Sequence, residues 1–207
     1  MKEYKVSRFK AKDELLAAIG TLPAAAIDVY GWVGGKRHDA SARLGFAEDF
    51  GFICKMEVNE PAPAAVCREE NGPVCLDSCM EFFVSFDGES YLNLEANCLG
   101  VKCMGFGPGR HGRLRVCERV PGGFRADPEI GADGWSLTYY LPFDELGKFY
   151  PGVSAADFAP GATFTANFYK TGSAEVTGVE HYGMWSECLT ENPDFHRPEY
   201  FGKCVME

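Results

Sequence analysis

Glu81 on one segment and Asn93, Glu95 and Asn97 on the next stand at alternate positions in the stretch Asp77 to Gly100, DSCMEFFVSFDGESYLNLEANCLG. Side chains alternate across a β-strand, so each segment would gather its polar groups on one face. Carboxylates accept hydrogen bonds, and amides both donate and accept them, in fixed directions. A rigid row of such groups suits a polyhydroxylated ligand. The alternative is a solvated sheet face, which antiparallel sheets often carry.

The elements that would position these groups are short strands. In the stretch above, Ser78, Met80, Phe82, Val84 and Phe86 fall opposite Glu81 and Ser85, while Leu92, Leu94 and Ala96 fall opposite Tyr91, Asn93, Glu95 and Asn97. Ser41 to Phe46 and Phe50 to Asn59 read as a second hairpin, with Leu44 and Phe46 inward and Arg43 and Glu57 outward. Thr163 to Lys170 reads as a strong strand with Phe164, Ala166 and Phe168 inward, and Thr165, Asn167 and Tyr169 outward. If these strands share a sheet, one face gathers Arg43, Glu57, Glu81, Asn93, Glu95, Asn97, Asn167 and Tyr169, and Arg43 can pair with Glu81 or Glu95. Further strands are expected over Glu3 to Phe9, Ile27 to Val33, Val101 to Phe106, Leu114 to Glu118, Gly134 to Leu141 and Tyr200 to Val205. Helices are expected only at Lys12 to Ile19 and Phe143 to Tyr150, and Gly172 to Pro198 reads as irregular. Many strands, turn signals and one or two short helices indicate an all-β protein, an antiparallel β-sandwich formed as one domain over residues 1–207.

Composition narrows the function. With 46% hydrophobic residues the chain is a globular folder rather than a disordered one. A net charge of −10 without a basic run argues against nucleic acid and against anionic membranes as partners. The start Met-Lys-Glu has no apolar run behind it and no stretch approaches the ~18 residues of a membrane helix, so a cytoplasmic location is expected. In a reducing compartment the nine cysteines would be free thiols, with Cys54, Cys79, Cys98 and Cys117 acting as small buried hydrophobes in strands.

Three blocks, DSCMEFFV with YLNLEAN, ANFYK (Ala166 to Lys170), and HYGMWSE…PDFHRPEYFG (His181 to Gly202), together with SARLGF at Ser41 to Phe46, resemble the family 9 carbohydrate-binding modules and their stand-alone relatives. The resemblance runs from about Ile27 to the C-terminus. It implies a jelly-roll-like β-sandwich that binds a mono- or oligosaccharide without hydrolysing it, with carbohydrate catabolism as the setting. It also implies bound calcium in a structural role. The matching motifs carry Glu81, Asn97, Asn167 and Trp185, and from SARLGF Arg43, over as ligand-binding positions.

Read residue by residue, Trp185 lies in the irregular segment and is a candidate stacking platform for sugar C–H faces; the alternative is a loop anchor packed on the sandwich. Trp135 alternates with Leu137 and Tyr139 and reads as core. Trp32, beside Gly34 and Gly35, is ambiguous. Directly opposed Glu81 and Glu95 would match the ~5–5.5 Å separation of retaining glycosidase carboxylates, so an enzyme is one rival reading. Neighbouring amides and Arg43 are expected to keep both ionised, whereas catalysis needs one pKa raised. A protein- or small-ligand-interaction module is the other rival. His111, His181 and His196, with Cys75 and Cys79, lack zinc spacing, and Met184 with His181 is a conceivable haem pair too close in sequence to ligate opposite faces. No cofactor beyond the implied calcium is expected. Titration of thiols under denaturing, non-reducing conditions is expected to find nearly all nine reactive; a single reactive thiol would mean a disulfide-bonded protein and would overturn the cytoplasmic assignment.

Overall fold

The computed structural model describes residues 2–32 and 38–207. Thirteen strands are formed among them: β1 (Glu3–Phe9), β2 (Ala25–Ala26), β3 (Ala40–Ala47), β4 (Gly51–Val58), β5 (Cys79–Ser85), β6 (Tyr91–Asn97), β7 (Lys102–Gly107), β8 (Leu114–Arg115), β9 (Arg125–Ile130), β10 (Trp135–Pro142), β11 (Thr163–Gly172), β12 (His181–Met184) and β13 (Gly202–Met206). Short helices α1 (Lys12–Ala18), α2 (Phe143–Leu146) and α3 (Ala174–Thr177) punctuate them. The strands run β8-β7-β6-β5-β11-β13-β1-β3-β4-β10-β9, with β12 beside β11 and β2 beside β3. β1 joins the two halves. Its first part pairs with β13 and its second with β3, both in parallel, so the sandwich is mixed rather than purely antiparallel. The halves fold face to face, and the Tyr139 hydroxyl on β10 donates to the Met80 carbonyl on β5.

The two sheets differ in what covers their outer faces. In β10, Trp135, Leu137, Tyr139 and Leu141 are buried while the residues between them are half-buried, the alternation of a strand with one wet side. Every residue of β5 and β6 is buried. Met80, Phe82, Val84, Leu92, Leu94 and Ala96 point into the main core. Phe83, Tyr91 and Tyr169 point outward into a second apolar cluster completed by Met184, Cys188, Phe195 and Phe201. The irregular segment after β12 thus roofs the first sheet. Phe195 stacks on Tyr169 with ring centroids 3.9 Å apart, and the amide of Asn167 clamps Ser186 from both sides, donating to its carbonyl at 2.8 Å and accepting its N–H at 2.9 Å.

Several expectations change. Ile27 to Trp32 forms only a single bridge, from Val29 to Met184, and Val33, Gly34 and Gly35 lie outside the described residues. β9 is an additional strand; it ends the sheet, where Pro128 costs no pairing donor that a neighbour needs. The stretch read as irregular, Gly172 to Pro198, contains helix α3 and strand β12, which pairs with the end of β11. Cys117 is exposed in a 3₁₀ turn rather than buried in a strand. No helix among the described residues is long and apolar enough to cross a membrane.

Trp185 is buried, 3% exposed, and is not a solvent-facing platform. Its ring meets Phe168 at 5.4 Å and Tyr4 at 6.3 Å, and a Cβ on Gly202 would stand 2.2 Å from it. The backbone bond from Trp185 to the Phe168 carbonyl turns the residue inward at the point where the roof begins. Trp135 is core as expected, its indole N–H donating to Glu60 at 2.8 Å. Trp185→Ala is expected to cost about 3–5 kcal/mol in denaturant unfolding, the cost of an emptied core aromatic site; a loss below about 1 kcal/mol would contradict this packing.

Candidate functional site

The β5–β6 hairpin sets the central pair. Asp87 Oδ1 accepts the Glu89 and Ser90 N–H groups, and Gly88 takes φ 73°, which closes the turn in one geometry. That register puts Glu81 directly opposite Glu95 on the outer face. Both are buried, 2% and 7% exposed. Glu81 Oε1 accepts from Thr171 Oγ1 on β11 at 3.0 Å, and Glu95 Oε1 accepts from Asn93 Nδ2 at 2.9 Å. Among the described residues no hydrogen bond reaches the second oxygen of either.

The pair floors a cavity of about 260 Å³. Trp32, Tyr182 and Phe195 form its aromatic walls, with Trp32 5.4 Å from Phe195 and 6.1 Å, edge to face, from Tyr182. The Trp32 indole N–H is tied to the Thr190 carbonyl at 2.8 Å, which fixes the ring. Arg110, Asp194 and His196 form the polar rim; Arg110 pairs with Asp194 at 2.7 Å, and Tyr91 and His196 Nδ1 are 2.9 Å apart. Behind the floor Arg113 spreads its donors to Asn93 Oδ1 and to the carbonyls of Tyr91, Gly105, Gly107 and Gly109. A Cβ on Gly105 would lie 2.7 Å from Asn93 Oδ1, so glycine there lets Arg113 hold Asn93, and through it Glu95.

The electrostatics reverse the expectation that both carboxylates stay ionised. Burial, then the neighbouring Glu95, pushes the Glu81 pKa well up. Burial raises Glu95 to about 7, with Asn93 and the arginines only moderating it. Amides bonded to a carboxylate favour its charge, but here desolvation and like charge prevail. Both carboxyls are thus pushed toward the protonated form, and as an interacting pair they retain a proton more readily than separate carboxylates do.

The expected site residues divide. Glu81 and Glu95 line the cavity, and Asn93 and Tyr169 support it from behind, through Glu95 and Phe195. Asn97 and Asn167 are fully buried structural clamps: Asn97 bonds Asp77 and Cys67 on one side and the Leu99 and Val101 N–H groups on the other. Arg43 and Glu57 pair with each other on the second sheet, remote from Glu81 and Glu95, because β3 and β4 do not share the first sheet with the hairpin. Trp185 is in the core. Strand alternation missed Trp32, Arg110, Asp194, Phe195 and His196, which come from loops and the roof, and Tyr182, which stands on β12 within the stretch read as irregular. Thr171 was legible only by continuing the β11 alternation past Lys170.

At one end of the core Lys170 is fully buried, its Nζ 3.2 Å from Glu60 Oε2 and 2.9 Å from His181 Nε2. Burial opposes ionisation of Glu60, but Lys170, Trp135 and Ser78 together hold its pKa below the usual value. Burial, then Lys170, lowers His181 to about 4. His38, Glu60 and His181 are the one group among the described residues whose donor atoms converge closely enough to hold a metal. Calcium takes six to eight oxygens, and this group offers two imidazoles and one carboxylate already in contact with an ammonium. The residues do not fit calcium. His196 lines the dyad cavity instead, and Met184 Sδ accepts from the Cys188 N–H. A wider groove of about 1050 Å³ runs along β4 and β10, lined by Asp28, Glu57, Glu129 and Asp133.

A family model described as "Carbohydrate-binding family 9" matches residues 13–206. A crystal structure of an inferred carbohydrate-binding protein from Bacteroides uniformis ATCC 8492 is 26% identical, with a TM-score of 0.81 over 100% of this chain and 99% of that one. A family 9 module from Caldicellulosiruptor kristjanssonii in complex with glucose is 14% identical, with a TM-score of 0.66 over 100% and 96% of the two chains. A complex of such a module from that organism with cellotriose gives 14%, 0.65, and 100% and 94%. No curated protein matches the chain.

The dyad leaves a signature in stability. Glu95 titrates at 4.5 when unfolded and at about 7 when folded, so between those values the folded chain binds more protons. Stability contributed by the protonated carboxyl is therefore present at low pH and lost as pH rises through about 7. Urea unfolding of wild type and Glu95→Gln from about pH 5.5 to about 8 should show the smaller decline in the variant. Equal declines would mean the pair is not desolvated.

Proposed function

Because this chain belongs to carbohydrate-binding family 9, we propose that it holds one ring of a mono- or oligosaccharide in the cavity above Glu81 and Glu95, without cleaving it. The carrying observation is the combination of fixed aromatic walls with two buried carboxylates that each keep an oxygen open to the cavity. Sugar C–H faces pack on aromatic rings, and directed acceptors select hydroxyl stereochemistry. A shared proton lets the dyad donate as well as accept. The volume, just under the ~300–1,000 Å³ of drug-sized sites, suits one ring rather than a chain. The family 9 complexes with glucose and with cellotriose support a sugar of this kind. The wider groove is the weaker site: Trp135 is almost wholly buried, and half-buried Tyr30 has its hydroxyl tied to the His38 carbonyl.

A glycosidase reading draws on the raised Glu95 pKa, which suits a general acid. The placement of the pair speaks against it. Both carboxyls rise side by side from one sheet face, whereas hydrolysis needs one on each side of the scissile bond.

Trp32→Ala is expected to weaken glucose or cello-oligosaccharide binding by about tenfold or more in calorimetric titration, while moving the thermal melt less than Trp185→Ala does. Unchanged binding would remove the aromatic wall from the site. Aryl glycosides are expected to remain intact with wild type; turnover abolished by Glu81→Gln would establish the enzyme reading instead.

A further inference from the structure

The cavity carries more negative charge than its own cations answer. Glu81, Glu95 and Asp194 line it against the single guanidinium of Arg110, and Arg110 is committed to Asp194 at 2.7 Å. The hydrogen-bond partners of the dyad are neutral, the Thr171 hydroxyl and the Asn93 amide. The nearby cations face elsewhere. Arg113 gives its donors to Asn93 Oδ1 and to backbone carbonyls, and Lys170 Nζ turns to Glu60, His181 and the Thr171 carbonyl. His196 is kept neutral, its pKa lowered to about 4 by burial and then by Arg113 and Arg110. A buried carboxylate pair without a cation must hold a proton or acquire a positive partner.

Building on the carbohydrate reading above, we propose that the cavity selects a sugar bearing a free, protonated amino group, a hexosamine, with its ammonium seated between the open oxygens of Glu81 and Glu95. An ammonium brings three donors, enough to serve both carboxylates. Charge-assisted bonds of this kind are roughly twice as strong as neutral ones. The Trp32, Tyr182 and Phe195 rings add favourable faces for the cation as well as for the sugar C–H groups. On binding, the proton shared by Glu81 and Glu95 leaves to solvent and the ammonium takes its place, so charge is conserved within the site.

The test is calorimetric titration of the wild-type protein with glucosamine, glucose, N-acetylglucosamine and cyclohexylamine at neutral pH, in two buffers of different ionisation enthalpy. Glucosamine is expected to bind at least about tenfold more tightly than glucose and N-acetylglucosamine, with net proton release, and cyclohexylamine weakly. In Glu95→Gln, checked for folding by its melt, the advantage of glucosamine over glucose should vanish; should that variant not fold, Glu81→Gln replaces it, and the wild-type ratio decides in either case. Glucose binding as tightly as glucosamine would overturn the proposal while leaving the carbohydrate reading intact. Cyclohexylamine matching glucosamine would overturn it in favour of a general amine site. Binding of none of the sugars would overturn both readings.

Discussion

Desolvation of the outer face of the first sheet is the constraint on which the site depends. An open antiparallel sheet would leave Glu81 and Glu95 in water, as two ordinary carboxylates in a hydrated row. β12 and the segment after it instead lay Met184, Cys188, Phe195 and Phe201 over Phe83, Tyr91 and Tyr169. Every residue of β5 and β6 is buried as a result, and the small cavity lies above the dyad. The two carboxyls there are almost wholly buried, so their hydrogen bonds and charges are directional and consequential.

This roof is held by the polar groups that a sheet-face reading would assign to the ligand. Asn167 clamps Ser186, and Asn97 locks the β6–β7 turn to Asp77. Each amide uses both its donor and its acceptor within the protein, which is how a buried amide is accommodated. The Lys170–Glu60–His181 cluster fills the end of the core next to β12 in the same way, with each charge answered by another. Each carboxyl of the dyad, by contrast, uses one oxygen in a hydrogen bond to a neighbouring side chain and has a second left over, and that surplus separates these binding groups from the structural ones.

The alternation of apolar residues carried most of the fold. The hairpin at Asp77 to Gly100, the inward faces of β4, β10 and β11, and the core position of Trp135 were all legible from period-two patterns. The opposition of Glu81 and Glu95 followed from the hairpin too. What alternation cannot reveal is which strands share a sheet: Arg43 and Glu57 have the same outward parity as Glu81 yet stand on the other sheet. Nor does parity say whether an outward face meets water or protein. Trp185 sits in a polar stretch, HYGMWSE, and enters the core because its backbone pairs with Phe168 at the edge of β11. Apart from Tyr182 on β12, the cavity walls come from the loop at Trp32, from the loop that carries Arg110 after β7 and from the roof, where no periodicity constrains side-chain direction. The dense aromatic and polar content of PDFHRPEYF was the one available signal that this irregular segment packs rather than dangles.

The central claim is that the roofed cavity over the carboxylate pair is the place where ligand binds. A crystal structure of the protein soaked with a hexose tests it most directly. The account predicts one sugar ring in this cavity, against the Trp32, Tyr182 and Phe195 rings, with hydroxyl or amino groups on Glu81 and Glu95. A sugar found instead in the groove along β4 and β10, with the dyad cavity empty, would contradict it.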